Sequence, residues 1–347
     1  MAAPVLDRLR ALVGPDALLT GVDLSPFVVE GRTPLAALFP GTLEEMAAVL
    51  RLAAESGLPV TPWGGGMAAS VGLPPSRAGL VLGLRRLARL LEHEPGDLTA
   101  TVQAGMTLAA LQAALRARGQ WVSLDPGDAA QATLGGIVAA NASGPRRHLY
   151  GTVRDVLIGL TVVTADGAVV RGGAKVVKNV AGYDLPKLFV GSYGTLGVVV
   201  DVTLKLRPLP DTERLVAVRF EHLKDAGAAV RAIMASDLIP NAIDLLDAPA
   251  AAALPAGGAA PATLVVGFDG LGEQVDWQVA ELARVVKPIG GAPPVPLPAE
   301  AWPRLATAAR DAFAAPAAVM TFSVLPGLVA ETLEHGASAA RARGLAS

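Results

Sequence analysis

The chain has 347 residues, a formal net charge of −2 and no cysteine, and its 38 glycines and 27 prolines make it rich in turn-forming residues. The absence of cysteine excludes disulfides, thiolate zinc sites, ordinary iron–sulfur clusters and a thiol nucleophile. The near-neutral charge gives no reason to expect binding to nucleic acid or to an anionic membrane, and four scattered histidines predict no metal site. A chain of this length can bury a substantial core, and we expect two domains.

The first part of the chain alternates helices with short strands. Thr42 and Glu45 have the spacing of a capping box, which predicts a helix over residues 43–56. Asp166-Gly167 is typical of a hairpin turn. The apolar pattern further predicts a helix at 108–118 and strands at 59–62, 80–84, 98–102, 121–124, 156–164, 168–171 and 196–206.

Pro208 and Pro210 mark the expected domain boundary, because proline cannot donate a hydrogen bond to a strand ladder. Beyond them the pattern is typical of a smaller α+β domain, with strands at 215–220 and 263–268 and helices at 223–235 and 273–286. We therefore expect an N-terminal segment at 1–34, a larger domain at 35–209, a smaller domain at 210–330 and a polar tail at 331–347.

Two long uncharged stretches, residues 248–268 and 312–330, are interrupted by proline and glycine. We expect the first to be a linker that leads into a strand and the second to contain a buried strand, rather than membrane spans. The N-terminal residues carry Asp7, Arg8 and Arg10 where a signal peptide would be apolar. The sequence therefore predicts a soluble, cytoplasmic protein with no transmembrane segment, for which any association with a membrane would depend on partner subunits.

Three glycine-rich loops are candidates for holding a diphosphate, because glycine allows backbone N–H groups to approach phosphate oxygens closely. Each loop alone is also typical of a tight turn, but three of them at the ends of predicted elements favour a phosphate-bearing cofactor. None has the G-x-G-x-x-G spacing of a Rossmann fold. The loops are Gly64-Gly65-Gly66, the stretch from Thr133 through Gly135-Gly136 to Gly144, and the stretch from Gly191 through Gly194 to Gly197.

The segment at residues 175–185 is too polar for a buried strand and too interrupted by glycine for a helix. Its side chains at Asn179, Tyr183 and Asp184 are good hydrogen-bonding groups. Taken alone, the segment is equally typical of a ligand-binding loop and of a solvated connection.

The ordered series of motifs resembles the FAD-binding domain of the p-cresol methylhydroxylase/vanillyl-alcohol oxidase type. Within that type it is most similar to the FAD-binding subunits of bacterial glycolate oxidase complexes. The resemblance is strong over residues 35–208 and loose over the remainder, and it implies an α+β fold: a two-subdomain FAD-binding domain followed by a smaller α+β cap domain with an antiparallel sheet and helices. The motifs are Pro62-Trp63-Gly64-Gly65-Gly66, Asp125-Pro126-Gly127, Thr133-Leu134-Gly135-Gly136, Asn141-Ala142-Ser143-Gly144, Lys178-Asn179-Val180-Ala181-Gly182-Tyr183-Asp184-Leu185 and Gly191-Ser192-Tyr193-Gly194-Thr195-Leu196-Gly197.

The resemblance also implies which residues bind FAD. Met67 departs from the family, which usually has Thr or Ser there, so one side-chain bond to phosphate is expected to be missing. Neither main FAD loop contains a histidine before Gly144, which implies that FAD is bound without a covalent link. The implied cofactor-binding residues are Trp63, Gly64, Gly65, Gly66 and Met67 in the first loop, Pro126, Thr133, Gly135, Gly136, Asn141, Ser143 and Gly144 around the second, and Gly197, Val198 and Val200 after the third.

For function, the resemblance implies an FAD-dependent oxidoreductase that acts on CH–OH groups as part of a complex. It would take part in the oxidation of glycolate, a 2-hydroxy acid, to glyoxylate. Its implied partners are a catalytic flavoprotein subunit and an iron–sulfur subunit. Two alternatives stay open: a non-catalytic FAD-binding scaffold or electron-relay subunit, and a standalone FAD-dependent dehydrogenase of another D-2-hydroxy acid.

The sequence assigns no catalytic residue. Arg146 and Arg147 are candidate cations for a substrate carboxylate, although they are also suited to phosphate or surface contacts. His148 and Tyr150 are the nearest candidate bases, and neither has a stronger signal than that of a structural side chain.

Overall fold

The computed structural model describes residues 2–173, 184–313 and 324–344, and the chain divides into two compact units. The first unit comprises Met1–Ser143 and Thr152–Leu209, and the second comprises Gly144–Gly151 and Pro210–Ser347. The division into the four sequence-derived segments stays a prediction. Asn179 and Tyr183 lie outside the described residues, as does the centre of the stretch at 312–330.

Helices and strands alternate along the described residues. The strands are β1 Leu18–Leu19, β2 Ala36–Leu38, β3 Val60–Trp63, β4 Leu80–Gly83, β5 Leu90–Glu94, β6 Thr99–Gln103, β7 Gln120–Trp121, β8 Leu157–Val163, β9 Val169–Gly173, β10 Val198–Lys205, β11 Arg207–Pro208, β12 Thr212–Phe220, β13 Ala242–Asp247, β14 Ala262–Gly270 and β15 Val295–Leu297. The helices are α1 Ala2–Val13, α2 Leu43–Glu55, α3 Leu108–Arg116, α4 Leu134–Ala140, α5 Arg147–Tyr150, α6 Val153–Val156, α7 Leu185–Phe189, α8 Leu223–Met234, α9 Ala248–Ala252, α10 Gly272–Val286, α11 Ala301–Leu305, α12 Ala308–Asp311 and α13 Val329–Arg341.

The first unit contains a four-stranded sheet in the order β1-β2-β4-β3. β4 pairs in parallel with both β2 and β3, whereas β1 runs antiparallel to β2. All four residues of β4 are buried, as a parallel strand covered on both faces requires. The loop that begins at Gly64 leaves the carboxyl end of β3, which is where ligands bind in sheets of this kind.

A five-stranded antiparallel sheet in the order β5-β6-β10-β8-β9 forms the other half of this unit. β8 and β9 make the hairpin predicted around Asp166-Gly167, with Val163 opposite Val169. Buried residues of both sheets, such as Leu82 of β4 and Val202 of β10, belong to one continuous core. The unit is therefore two sheets on a shared core, with loops from both available at one site.

The second unit is an antiparallel sheet in the order β13-β14-β12-β15. Alternate residues of its strands enter two cores, one on each face. Val218 packs in one core with Ile233 of α8 and Leu282 of α10, and Ala217 packs in the other with Trp302 of α11. This is a small α+β unit, and the expected fold class is confirmed.

Three stretches differ from the sequence-based expectation. The glycine- and alanine-rich loop that follows Thr133 contains helix α4, the expected linker after residue 248 begins with helix α9, and the expected tail contains most of helix α13. Alanine, the strongest helix former, is abundant in all three. No helix within the described residues is both long enough and apolar enough to cross a membrane.

Candidate cofactor-binding site

A cavity of about 570 Å³ lies within the first unit, at the carboxyl end of β3. Its size falls within the roughly 300–1,000 Å³ of typical ligand sites. Most of the implied cofactor-binding residues line it: Trp63, Gly64, Gly65, Gly66, Met67, Pro126, Thr133, Gly135, Gly136, Gly197 and Val198. The fold thus brings residues from three distant parts of the sequence to one cavity.

The first glycine-rich loop offers a row of free amides. Among the described residues, the backbone N–H groups of Gly64, Gly65, Gly66 and Met67 donate no hydrogen bond within the protein. All four residues border the cavity. Adjacent unpaired N–H groups form an anion-binding concavity, because several partial positive charges converge on one place.

Close backbone packing explains why this loop needs glycine. A Cβ atom on Gly64 would collide with Oγ1 of Thr133, and one on Gly65 would collide with the carbonyl oxygen of Gln131. The two loops therefore lie directly against one another. A side chain at either position would push the free amides away from the cavity.

The ring of Trp63 packs against the same loop. A Cβ atom on Gly66 would lie only 2.7 Å from this ring, so the loop rests on the indole. Phe27 packs edge-on against Trp63, with ring centres 5.4 Å apart, and also contacts Phe39 at 5.8 Å. This aromatic cluster fixes the position of the loop.

The amides at the start of α4 are already used. Thr133 caps the helix by accepting a hydrogen bond from the N–H of Gly136 (3.3 Å), and the N–H of Gly135 donates to the carbonyl of Ala104 (2.8 Å). These glycines shape the cavity wall, and their close approach to Ala104 leaves no room for a Cβ on Gly135. Because their amides are hydrogen-bonded within the protein, they differ from the free amides of the first loop.

Four implied residues are not among those that line the cavity. Asn141 ends α4 in a left-handed conformation (φ 49°), and the hydroxyl of Ser143 accepts a hydrogen bond from the N–H of Val153 (3.3 Å). Val200 is buried, with its carbonyl bonded to the N–H of Ala104, and Gly144 belongs to the second unit. Contact of any implied residue with FAD stays a prediction.

The structure adds lining residues that sequence reasoning missed. They include Thr61 of β3, Tyr193 within the third loop, and seven residues of the segment that returns toward β4: Ala68, Ala69, Val71, Leu73, Pro75, Ser76 and Arg77. The implied residues of this region end at Met67 because the resemblance assigns FAD contacts here only to the first glycine-rich loop, whose glycine run ends at Gly66. The segment after Met67 leads back to β4, the parallel neighbour of β3, and this connection was the signal that could have extended the predicted site.

The side chain of the candidate cation Arg146 is bonded to other residues of the second unit. Its guanidinium donates to Oε1 of Glu213 at 2.6 and 3.0 Å and stacks 3.8 Å from the ring centre of Trp302. Arg147 donates to the carbonyl of Gly144 (3.0 Å). These contacts stabilise the unit and engage both arginines.

The two candidate bases, Tyr150 and His148, also lie in the second unit. Tyr150 donates its hydroxyl hydrogen to the carboxylate of Asp269 (2.6 and 2.8 Å), which also accepts from the side chain of the buried Asn241 (2.8 Å). Burial lowers the pKa of His148, so its imidazole is neutral at pH 7. No cluster of three or more His, Asp or Glu in the described part of the chain could hold a metal ion.

Comparison with known proteins decides the family. A model of the FAD binding domain matches residues 34–173, and a model of the C-terminal domain of FAD linked oxidases matches residues 209–325. The chain belongs to the FAD-linked oxidases. The glycolate oxidase subunit GlcD of Bacillus subtilis is 35% identical over 73% of this chain and 55% of its own length.

Other FAD-linked oxidases of the family are named for different hydroxy acids. A D-2-hydroxyglutarate dehydrogenase of Xanthomonas citri pv. viticola is 41% identical over 57% of this chain and 43% of its own length. A mitochondrial D-lactate dehydrogenase (cytochrome) of Saccharomyces cerevisiae is 36% identical over 62% and 37%. The chain thus spans about half the length, or less, of these relatives.

Solved structures of the p-cresol methylhydroxylase type share the fold. p-Cresol methylhydroxylase itself has a TM-score of 0.73 at 20% identity and covers 84% of this chain and 65% of its own. An alkyldihydroxyacetonephosphate synthase has a TM-score of 0.75 at 21% identity, with coverages of 90% and 68%. The cofactor of this FAD-linked oxidase is therefore FAD, and the free amides of the first loop suit its diphosphate.

Proposed function

We propose that this chain is the FAD-binding subunit of a complex that oxidises glycolate to glyoxylate and passes the electrons through FAD to a partner. The row of free amides from Gly64 to Met67, at the edge of a cavity of about 570 Å³, carries the proposal, because it provides an anion site next to room for a flavin. The relative named as a glycolate oxidase subunit supports glycolate as the first substrate to test.

Oxidation of a 2-hydroxy acid needs a base for the hydroxyl proton, an acceptor for the hydride and a cation near the carboxylate. Bound FAD supplies the two-electron redox chemistry. In our proposal the amides of Gly64, Gly65, Gly66 and Met67 hold the diphosphate, and the ring of Trp63 keeps them in place. The mostly apolar wall of the cavity excludes water from the bound cofactor.

The electrons need a route out of the subunit. Because the chain contains no cysteine, it cannot ligate an iron–sulfur cluster of the ordinary type. We propose that an iron–sulfur subunit and a catalytic flavoprotein subunit are the partners that continue the transfer, in the cytoplasm.

A second candidate is a non-catalytic FAD-binding subunit that only relays electrons. The second unit supports it, because Arg146 is paired with Glu213 and Tyr150 with Asp269, so the candidate cation and base are both engaged. In this case the partner flavoprotein oxidises the substrate.

Anaerobic titration of the purified chain distinguishes the candidates. The chain is loaded with FAD, and its visible flavin absorbance is followed on addition of glycolate or D-lactate, with Gly65→Ala as a control of impaired loading. Bleaching by glycolate supports direct oxidation, bleaching by D-lactate alone supports a dehydrogenase of another hydroxy acid, and a yellow but inert protein supports the relay. A chain that retains no FAD contradicts all three.

A further inference from the structure

The cavity extends past the free amides toward the other end of β3. Pro59 and Thr61 line this end, and the N–H of Leu80 donates to the carbonyl of Pro59 (2.8 Å), which places the start of β4 beside it. The five residue-to-residue steps from Pro59 to Gly64 span about 16 Å of extended chain. Residues at both ends of this stretch line the cavity, as a site for an extended dinucleotide requires.

The described lining of the cavity carries a single charged side chain. Of the described residues that line the cavity, only Arg77 is charged, and the others are apolar, small or hydroxyl-bearing. Arg77 also lines a small adjoining pocket of about 40 Å³, which it shares with Arg32, Pro59 and Thr61. The positive charge is therefore concentrated at the end of the cavity near Pro59.

The guanidinium of Arg77 has no partner within residues 2–173, 184–313 and 324–344. Two arginines that follow it in the sequence are engaged: Arg86 donates to the carbonyl of Phe39 (2.9 Å), and Arg89 donates to the side-chain oxygen of Gln103 (3.3 Å). Arg77 thus differs from them in offering its donors to a ligand.

We propose that Arg77 binds the ADP half of FAD and thereby selects FAD over the shorter flavins. A guanidinium forms paired hydrogen bonds with phosphate oxygens and stacks on planar rings, and the ADP half contains both. Riboflavin lacks this half, and FMN keeps only one phosphate. The first loop has Met67 and therefore no side-chain hydroxyl that could bind phosphate. Arg77 supplies a side-chain contact instead. The inference depends on the proposed function in one respect: FAD must bind in this cavity.

Binding measurements test the assignment independently of activity. Dissociation constants for FAD, FMN and riboflavin are measured by fluorescence titration for the full chain and for Arg77→Gln, Arg77→Lys and Arg118→Gln. Arg118 is the matched control, because it is an exposed arginine of the same unit outside the cavity. Circular dichroism melting verifies that each variant is folded.

We expect Arg77→Gln to weaken FAD binding about ten- to hundredfold, because the variant loses a charge-assisted hydrogen bond. Riboflavin binding should be unchanged. Arg77→Lys should recover part of the loss because it keeps the charge, and Arg118→Gln should bind like the wild type. Added salt should weaken FAD binding to the wild type more than to Arg77→Gln.

Three results would overturn the inference: unchanged FAD affinity in Arg77→Gln, an equal loss for FAD and riboflavin, or normal FAD affinity with reduced bleaching by glycolate. The last would assign Arg77 to a substrate carboxylate. In each case wild-type FAD binding leaves the proposed function intact, whereas a wild type that binds no FAD rejects both.

Discussion

Individual glycines of the cavity have two different roles. At Gly64 and Gly65 the missing side chain lets two loops touch while the amides stay unpaired, whereas at Gly135 the missing side chain accommodates Ala104 and the amide is bonded. The resemblance treated all three alike. Only the hydrogen-bond partners separate a ligand-binding amide from a structural one.

Gly65→Ala is expected to weaken FAD binding by about tenfold or more, because the new Cβ meets the carbonyl oxygen of Gln131 and a backbone atom cannot rotate away. Fluorescence titration with FAD measures the change. Gly96→Ala is the control, since a Cβ at Gly96 meets no atom within 4 Å. Wild-type affinity in Gly65→Ala would show that the loop does not position the cofactor.

At the scale of elements, those with complete local signals were predicted well. Thr42 and Thr107 cap α2 and α3 as expected, and the hairpin of β8 and β9 turns at Asp166. Helix α4 was missed because its first turn contains Gly135 and Gly136, which are poor helix formers. Its cap and its contacts with the rest of the unit outweigh that local preference.

The hairpin turn provides a pH-dependent prediction. A hydrogen bond from the hydroxyl of Thr164 (2.5 Å), together with one from the N–H of Ala168 (3.1 Å), lowers the pKa of Asp166. A carboxylate whose pKa is lowered by folding stabilises the protein above its unfolded pKa and loses that effect as pH falls through the lowered value. Asp166→Ala should therefore lower the melting temperature slightly at pH 7, because the turn is exposed, and by less at acidic pH.

Thermal melting from pH 7 to pH 3 measures the effect of Asp166→Ala. Asp166→Asn should retain more stability because its amide oxygen still accepts hydrogen bonds. Asp97→Ala is the control, since Asp97 is an exposed turn residue whose side chain makes no hydrogen bond in the described part of the chain. A difference between wild type and Asp166→Ala that grows as the pH falls would contradict the assignment.

At the scale of the whole molecule, the first unit has one core and the second unit has two, and the cavity lies within the first unit. A ligand that binds only the folded state stabilises the unit that holds it. FAD at about 100 times its dissociation constant should therefore raise the free energy of unfolding of the first unit by about 2.7 kcal/mol.

Differential scanning calorimetry with and without FAD measures this stabilisation. Riboflavin should stabilise the unit less, because it lacks the diphosphate. Gly65→Ala serves as the control and should show a smaller shift at the same FAD concentration. An unchanged melting temperature in the wild type at saturating FAD would refute binding to the folded unit.

The sequence by itself determined the family resemblance and the α+β class, and it placed the first glycine-rich loop directly after a strand. Glycine, capping threonine and alternating apolar residues are local requirements, and local patterns record them. Only the tertiary structure decided which amides are free, that Arg77 borders the cavity, and that Arg146 and Tyr150 are already paired with Glu213 and Asp269. The physical reason is that a free hydrogen-bonding group is defined by its neighbours in space, and folding brings those neighbours from distant parts of the chain.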